Sequence, residues 1–126
     1  MTPHEPGLRI CSWNANGFKK ISELRDFATR INPDVIVVQE TKLRLTDRTP
    51  IANYTFYSTP SRRGRDIRGT GIFIKNNIHH THYPNPSLRQ IESTIITIHQ
   101  PTSQDSINII SIYLPPGSDS SKKITA

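Results

Sequence analysis

The sequence contains a single cysteine, Cys11, so no internal disulfide can form and nothing points to an oxidising compartment. Its first ten residues, MTPHEPGLRI, lack the apolar run of a signal peptide. No stretch approaches the roughly twenty apolar residues that a membrane-spanning helix requires. These absences predict a soluble intracellular protein with no membrane segment and no disulfide partner.

Apolar residues are also scarce, at 33% of the chain without its six glycines. Even with the glycines added, this share lies below the roughly 45–50% of globular proteins. Either part of the chain is loosely ordered, or some apolar surface belongs against a missing partner, and composition leaves both interpretations open. A length of 126 residues allows one domain at most.

Acidic residues are outnumbered, since sixteen Lys and Arg stand against ten Asp and Glu. The formal net charge of +6 and the pI of about 9.8 favour binding to polyanions, of which nucleic acid is the commonest. A basic surface that serves only solubility would give the same numbers, so charge alone leaves both readings open.

The first half of the chain predicts a strand, a helix and a second strand. Residues 1–7 are predicted to be a flexible leader, and alternation from Leu8 to Asn14 predicts a strand that a turn at Asn16-Gly17 ends. Ser22 is a candidate N-cap of the helix, which Asn32-Pro33 should end. The apolar residues of the helix share one face: Ile21, Leu24, Phe27, Ala28 and Ile31. The unbroken run Val35–Val38 then predicts a strand that is buried on both faces and parallel to the first.

The second half predicts strands alone. They are expected at Tyr54–Ser58, Gly71–Lys75, Ser93–His99 and Ile107–Tyr113, in an antiparallel arrangement. Residues 115–126 are predicted to be a flexible tail. The whole pattern indicates an α/β sandwich with one mixed β-sheet and one main helix. One helix cannot cover both faces of one sheet, which we interpret as a sign of truncation.

Three segments lie where predicted strands end, at residues 12–17, 39–42 and 111–115. Open α/β sheets commonly bind ligands at that edge. Glu40 is the informative residue, because a carboxylate after a buried strand is costly unless it is paired. A divalent cation is one candidate partner, and Asn16 could offer the same ion a neutral oxygen. A turn cap, or pairing of Glu40 with Lys42 or Arg44, is the alternative.

These segments resemble the endonuclease/exonuclease/phosphatase superfamily, specifically the AP-endonuclease-like domain of non-LTR, jockey-like retrotransposons. The resemblance is carried, in chain order, by LRICSWNANGF, PDVIVVQETKL, GTGIFIKNNI, the stretch Glu92–Ile95 and INIISIYLPPGS. It implies the N-terminal half of a deoxyribonuclease I-like four-layer α/β sandwich. A truncated domain at residues 8–114 would then lie between the leader and the tail.

The resemblance also implies roles for individual residues. Glu40 matches the family's metal-binding glutamate, Asn14 an asparagine that orients the catalytic hydrogen bonds, and Tyr113 a tyrosine that contacts the scissile phosphate. Asn16 stands where many relatives have a metal-binding aspartate, so the chain departs from the family pattern at this ligand position. The implied cofactor is Mg²⁺, with Mn²⁺ as a substitute. The implied substrate is DNA, nicked in the nucleus by a domain that is normally fused to a reverse transcriptase.

One expected group of residues is missing. The family's second half supplies an Asp-x-Asn pair, a further Asp and an Asp-His pair, and none of the six aspartates here has Asn two positions later or His next to it. We therefore predict that the chain is catalytically incompetent alone, so whether it is an enzyme is uncertain. The alternatives are a nucleic-acid-binding module without chemistry and a non-functional gene fragment without a stable fold.

Two further groups admit a functional and a plain interpretation. The basic loop with Arg62, Arg63, Arg65 and Arg68 would contact DNA phosphates in this family, or else it is an ordinary solvated loop. His79, His80 and His82 invite a zinc site, although a solvated strand end is the favoured interpretation. Trp13 and Cys11 are expected to be core residues of the first strand.

Overall fold

The computed structural model describes residues 7–43, 48–59, 69–84, 92–101 and 104–113. Within these ranges the chain forms one α-helix, one short 3-10 turn (Asn16–Phe18) and seven strands. The elements are β1 (Ile10–Asn14), α1 (Ile21–Ile31), β2 (Val35–Gln39), β3 (Tyr54–Thr59), β4 (Thr70–Lys75), β5 (His80–Tyr83), β6 (Glu92–His99) and β7 (Ser106–Tyr113).

The strands divide between two sheets, where the sequence had suggested one mixed sheet. The first sheet has the order β1-β2-β4-β3, with β1 and β2 parallel and the other pairs antiparallel. The second sheet, β5-β6-β7, is antiparallel throughout. The α/β architecture and the single main helix are as predicted. The number of sheets was not, because alternation reports which faces of a strand are buried but not which layer covers them.

Both faces of the first sheet are covered within the described ranges. One face packs against α1 through Leu24, Ala28, Ile36, Val38 and Phe73, with Phe18 beneath them. The other face packs against the second sheet, in a cluster formed by Val35, Ile72, Ile74, Ile96, Ile98 and Ile109. The apolar runs of β2 and β4 are therefore buried on both sides, as predicted. The expectation that the first sheet would lack a covering layer was wrong.

The exposed apolar face belongs instead to the outer side of the second sheet. Tyr83, Ile110 and Ile112 are each about half exposed there, beside the partly buried Ile95. Strand β7 thus carries isoleucines on both of its faces, which is uncommon where one face meets water.

Helix α1 ends as predicted but does not begin as predicted. Asn32 adopts a left-handed conformation (φ 56°) and donates its backbone N–H to the carbonyl of Ala28, and Pro33 follows. The helix begins at Ile21 with Lys20 at the N-cap position and no capping side chain, so the assignment of Ser22 as the N-cap was wrong. Within the described ranges, no helix has the length and apolarity to cross a membrane.

Trp13 and Cys11 on β1 are half-buried rather than fully buried. Trp13 packs against the helix-side core, with its ring edge-on to Phe18 at a centroid distance of 5.8 Å. The core assignment for Trp13 is thus confirmed in part. Both side chains lie near the open edge of the first sheet, because β1 is its outermost strand.

Histidines of β5 contact the edge strand of the first sheet. The Tyr57 hydroxyl lies 2.8 Å from His80 Nε2, and the Tyr57 ring stacks on His82 at a centroid distance of 4.4 Å. His80 and His82 thus share one face of β5, as their spacing predicted. His79 lies instead against His99, and no group of three or more His, Cys, Asp or Glu suited to a metal occurs among the described residues.

Gly71 should be intolerant of any side chain. An alanine Cβ there would lie 2.4 Å from Cε1 of Phe56, whose ring is stacked on Phe73 at 4.1 Å and cannot easily move away. We expect Gly71→Ala to lower the free energy of unfolding by about 1–3 kcal/mol in urea denaturation. Gly7→Ala is the control, because no atom lies within 4 Å of that position. Equal stability of the two variants would contradict this packing, and a non-cooperative melt of the parent chain would favour the unfolded-fragment hypothesis.

The partial burial of His82 should make stability depend on pH. Burial lowers the pKa of His82 below 6.5, and the nearby His80 lowers it further. The unfolded chain therefore binds this proton more readily, so the contribution is present above about pH 6.5 and is lost as the pH falls toward the folded-state pKa. We expect His82→Phe, which keeps a ring against Tyr57, to reduce the loss of unfolding free energy between pH 7.5 and 5.5. An undiminished loss, or an equal reduction in the control His79→Phe, would refute the assignment.

Candidate active site

The parallel pairing of β1 and β2 brings two polar segments together at the carboxyl ends of these strands. Asn14 and Gln39 are Cα partners at the end of the ladder. The pairing continues past both strands, because Ala15 N–H donates to the Gln39 carbonyl (2.8 Å) and Gly17 N–H donates to the Glu40 carbonyl (2.9 Å). The backbone alone therefore places residues 14–17 beside residue 40.

The backbone at this edge is strained. Asn16, Phe18, Glu40 and Lys42 all have φ between 43° and 60°, a left-handed region that residues other than glycine seldom occupy. Each such residue costs on the order of 1 kcal/mol or more, so the surrounding structure must hold it in place. Thr41, between two of them, is fully buried and anchors the turn.

Asn14 directly contacts the predicted metal-binding carboxylate. Its Nδ2 donates a hydrogen bond to Glu40 Oε2, and its Oδ1 accepts the backbone N–H of Asn16 at 3.1 Å. These two bonds fix which way the amide of Asn14 faces, with its nitrogen toward Glu40. The structure thus brings Asn14 and Glu40 into direct contact.

Asn16 already has a cationic partner. Lys42 Nζ donates to Asn16 Oδ1 at 3.0 Å, so an ammonium group occupies the oxygen that the sequence had offered to a metal ion. From the sequence, Lys42 was an alternative partner for Glu40, whereas in the structure it donates to Asn16. This contact depends on the left-handed turn at residues 40–42, which the sequence does not reveal. Asn14 and Asn16 are exposed while Glu40 and Lys42 are half-buried, so the cluster is open to solvent.

Tyr113 reaches this end of the molecule from the second sheet. Ser111 Oγ donates to the Val38 carbonyl at 2.8 Å, so that face of β7 is turned toward β2. Tyr113 lies two residues further along and therefore projects from the same face of the strand, at the edge where Glu40 lies. Asn14, Asn16, Glu40 and Tyr113 thus come from three strand ends around one edge. Arg62, Arg63, Arg65 and Arg68 lie outside the described residues.

The donor chemistry at Glu40 suits a hard divalent cation. Mg²⁺ prefers oxygen ligands and is commonly held by one or two carboxylates, with waters and substrate phosphates as the remaining ligands. Glu40 supplies one carboxylate, held by Asn14 at an exposed edge. Asn16 fits less well, because its oxygen accepts from Lys42.

Glu92 lies in one of the segments that carry the family resemblance, but its sequence context indicates no role for it. In the structure it is a buried carboxyl-bearing residue that accepts the backbone N–H of Gly69 at 2.9 Å, beside the Glu40 turn. The available sequence signal was an acidic residue at the start of the otherwise apolar and Thr-rich strand ESTIITIH.

The chain is similar in sequence to known proteins. A model of the Endonuclease/Exonuclease/phosphatase family matches residues 11–106. The chain is 30% identical over 113 residues to the RNA-directed DNA polymerase from mobile element jockey of Drosophila melanogaster. That match covers 89% of this chain but only 12% of the relative, so the chain spans about one eighth of that protein.

Solved structures share the fold. The endonuclease domain of TRAS1, a telomere-specific non-LTR retrotransposon, superposes with a TM-score of 0.64 at 17% identity, over 88% of this chain and 46% of the domain. AP endonuclease LMAP from Leishmania major gives a TM-score of 0.63 at 21% identity, over 82% of this chain and 38% of that protein.

Proposed function

This chain belongs to the endonuclease/exonuclease/phosphatase family, and on that basis we propose that it forms the Glu40-centred part of a retrotransposon-type endonuclease that nicks DNA. The observation that carries the proposal is the hydrogen bond from Asn14 to Glu40 across the ends of two parallel strands. It holds a carboxylate at an open edge, where a cation and a phosphate could both approach. The substrate in this proposal is a DNA phosphodiester.

The similarity to retrotransposon proteins supports the choice of substrate and partner. The jockey relative is an RNA-directed DNA polymerase of a mobile element, and TRAS1 is a retrotransposon with an endonuclease domain. We propose by analogy that this segment works together with a reverse transcriptase, on DNA in the nucleus.

Each residue of the cluster has a part in the proposed hydrolysis. Glu40 would hold Mg²⁺ or Mn²⁺, and Asn14 fixes the direction of the carboxylate. The hydroxyl of Tyr113 donates a hydrogen bond to an oxygen of the scissile phosphate. Lys42 keeps Asn16 turned toward its ammonium and adds positive charge near the substrate's phosphates. A bound divalent cation would neutralise the charge that develops on the phosphate oxygens during attack by water.

We further propose that the 126 residues do not hydrolyse DNA efficiently alone. In-line attack by water needs a group that accepts its proton. The Asp-x-Asn and Asp-His pairs that serve the family in this step do not occur in the sequence. Cation binding and chemistry are therefore separable in this chain, and each can be measured independently of the other.

Glu40→Gln should weaken cation binding selectively, because it removes the negative charge and keeps the shape. We expect a Mn²⁺ titration followed by electron paramagnetic resonance to show at least about a tenfold loss of affinity. Glu23→Gln is the matched control, since Glu23 is exposed on α1. Equal affinities in the two variants would remove the metal site from the proposal.

Plasmid nicking with Mg²⁺ tests the catalytic part of the proposal. We expect no robust turnover by the chain alone, because the proton acceptor is missing from its sequence. Robust nicking that is lost in Glu40→Ala would contradict the proposed incompetence while supporting the site.

A second candidate function is nucleic-acid binding without chemistry, which the net charge of +6 favours. In this case the loop arginines at 62, 63, 65 and 68 contact phosphates and position the duplex without reading its sequence.

Replacing these four arginines with alanine should flatten the salt dependence of duplex binding. Each lost phosphate contact reduces the slope of log affinity against log salt by about 0.9, so four contacts would reduce it by about 3 to 4. The control replaces Arg9, Arg25, Arg30 and Arg48, which changes the formal charge equally, from +6 to +2. The same slope in both quadruple variants would show that net charge, rather than the loop, governs binding.

A further inference from the structure

Glu92, the first residue of β6, is only 5% exposed although it carries an ionisable group. Burying a carboxyl group is costly unless the protein offers it hydrogen bonds, so a buried acid is seldom without a structural or chemical role. Glu92 has no part in the mechanism proposed above. Its contacts lead to the turn that carries Glu40.

A single glycine connects Glu92 to that turn. Glu92 Oε1 accepts the backbone N–H of Gly69 at 2.9 Å, and the carbonyl of Gly69 accepts the backbone N–H of Thr41 at 3.2 Å. Gly69 has a φ of 117°, a conformation that side-chain-bearing residues rarely adopt. The two peptide groups of Gly69 therefore link Glu92 on the second sheet to Thr41, the residue next to Glu40.

The turn itself depends on this backbone contact. Glu40 and Lys42 both have φ of 52°, and Thr41 between them is fully buried. The hydroxyl of Thr41 has no hydrogen-bond partner among the described residues. The hydrogen bond from the Thr41 N–H to the Gly69 carbonyl is thus a polar anchor of the turn. Residues with positive φ, such as Glu40 and Lys42, persist only where their surroundings hold them.

Glu92 also lies opposite the other strand end of the site. It is the Cα partner of Tyr113 across β6 and β7. Close by, hydroxyl contacts cross between the sheets, from Thr94 to Thr70 at 2.8 Å and from Thr94 to Thr59 at 3.0 Å. Glu92 therefore stands between Tyr113 on its own sheet and the Glu40 turn on the other.

We propose that Glu92 is a positioning residue, which holds Gly69 and through it keeps the Glu40 turn in the geometry that binds a cation. The part of this inference that concerns cation binding rests on the function proposed above. The part that concerns the hydrogen bonds from Glu92 through Gly69 to Thr41 is independent of that function. The role requires an acceptor oxygen at the reach of a glutamate side chain, rather than a negative charge.

Two conservative variants separate reach from charge. Glu92→Gln keeps an acceptor oxygen at the same distance and loses the charge, whereas Glu92→Asp keeps the charge and is shorter by one methylene. We expect Glu92→Gln to show the amide exchange rates and the Mn²⁺ affinity of the parent chain. We expect Glu92→Asp to raise the hydrogen-exchange rates of the Gly69 and Thr41 amides, and to lower Mn²⁺ affinity, each by about tenfold. The amides of Ile36 and Val38 within β2 report global stability and should not change.

Several results would overturn the proposal. The opposite result would be an unchanged Glu92→Asp variant and a Glu92→Gln variant with faster amide exchange and weaker Mn²⁺ binding. It would indicate that the negative charge of Glu92 matters and the length of its side chain does not. Unchanged exchange at Thr41 in Glu92→Asp would show that Gly69 does not depend on Glu92. Faster exchange of the β2 amides to the same extent would indicate a general loss of stability. Should Glu40→Gln leave Mn²⁺ affinity unchanged, the cation site fails, while the exchange at Thr41 still tests the positioning role.

Discussion

The parallel register of β1 and β2 is the constraint from which the site follows. Parallel strands end at the same edge of a sheet, so the polar residues after each strand meet there without any requirement from their side chains. Asn14 and Gln39 close the ladder, and two further backbone hydrogen bonds extend it to Glu40. A shift of β1 by one residue would turn Asn14 to the opposite face and separate it from the carboxylate.

The second sheet contributes to the same edge through β6 and β7. It packs on the first sheet through isoleucines and valines in the middle of both layers. Toward the site the contacts between the sheets become polar. Ser111 donates a hydrogen bond to the Val38 carbonyl, and Glu92 accepts one from the Gly69 N–H. Apolar burial is non-directional, whereas hydrogen bonds fix distance and orientation. This change from apolar to polar contacts explains how a loosely specified interface can position Tyr113 and the Glu40 turn.

Much of the fold could be predicted from the sequence, because hydrophobic periodicity identifies strands and helices directly. The unbroken run in β2 predicted burial on both faces, and the Asn32-Pro33 pair predicted the end of α1. The split into two sheets could not be predicted, since the alternation in β6 is compatible with either partner. The Asn14–Glu40 contact followed from parallel pairing. The contacts of Lys42 and Glu92 did not, because they depend on positive φ angles at residues that are not glycine and on a glycine distant in sequence.

The strain at the site couples it to the core. Four side-chain-bearing residues at the edge adopt positive φ, at a combined cost of at least several kcal/mol. Small domains are stable by only about 5–15 kcal/mol, so this cost is a substantial fraction of the total. The turn at Glu40 can therefore persist only while both cores and the Gly69 bridge remain intact. A lost contact in β4 or β6 should thus loosen the site before it unfolds the chain, because a strained surface turn opens locally more readily than the packed strands that support it.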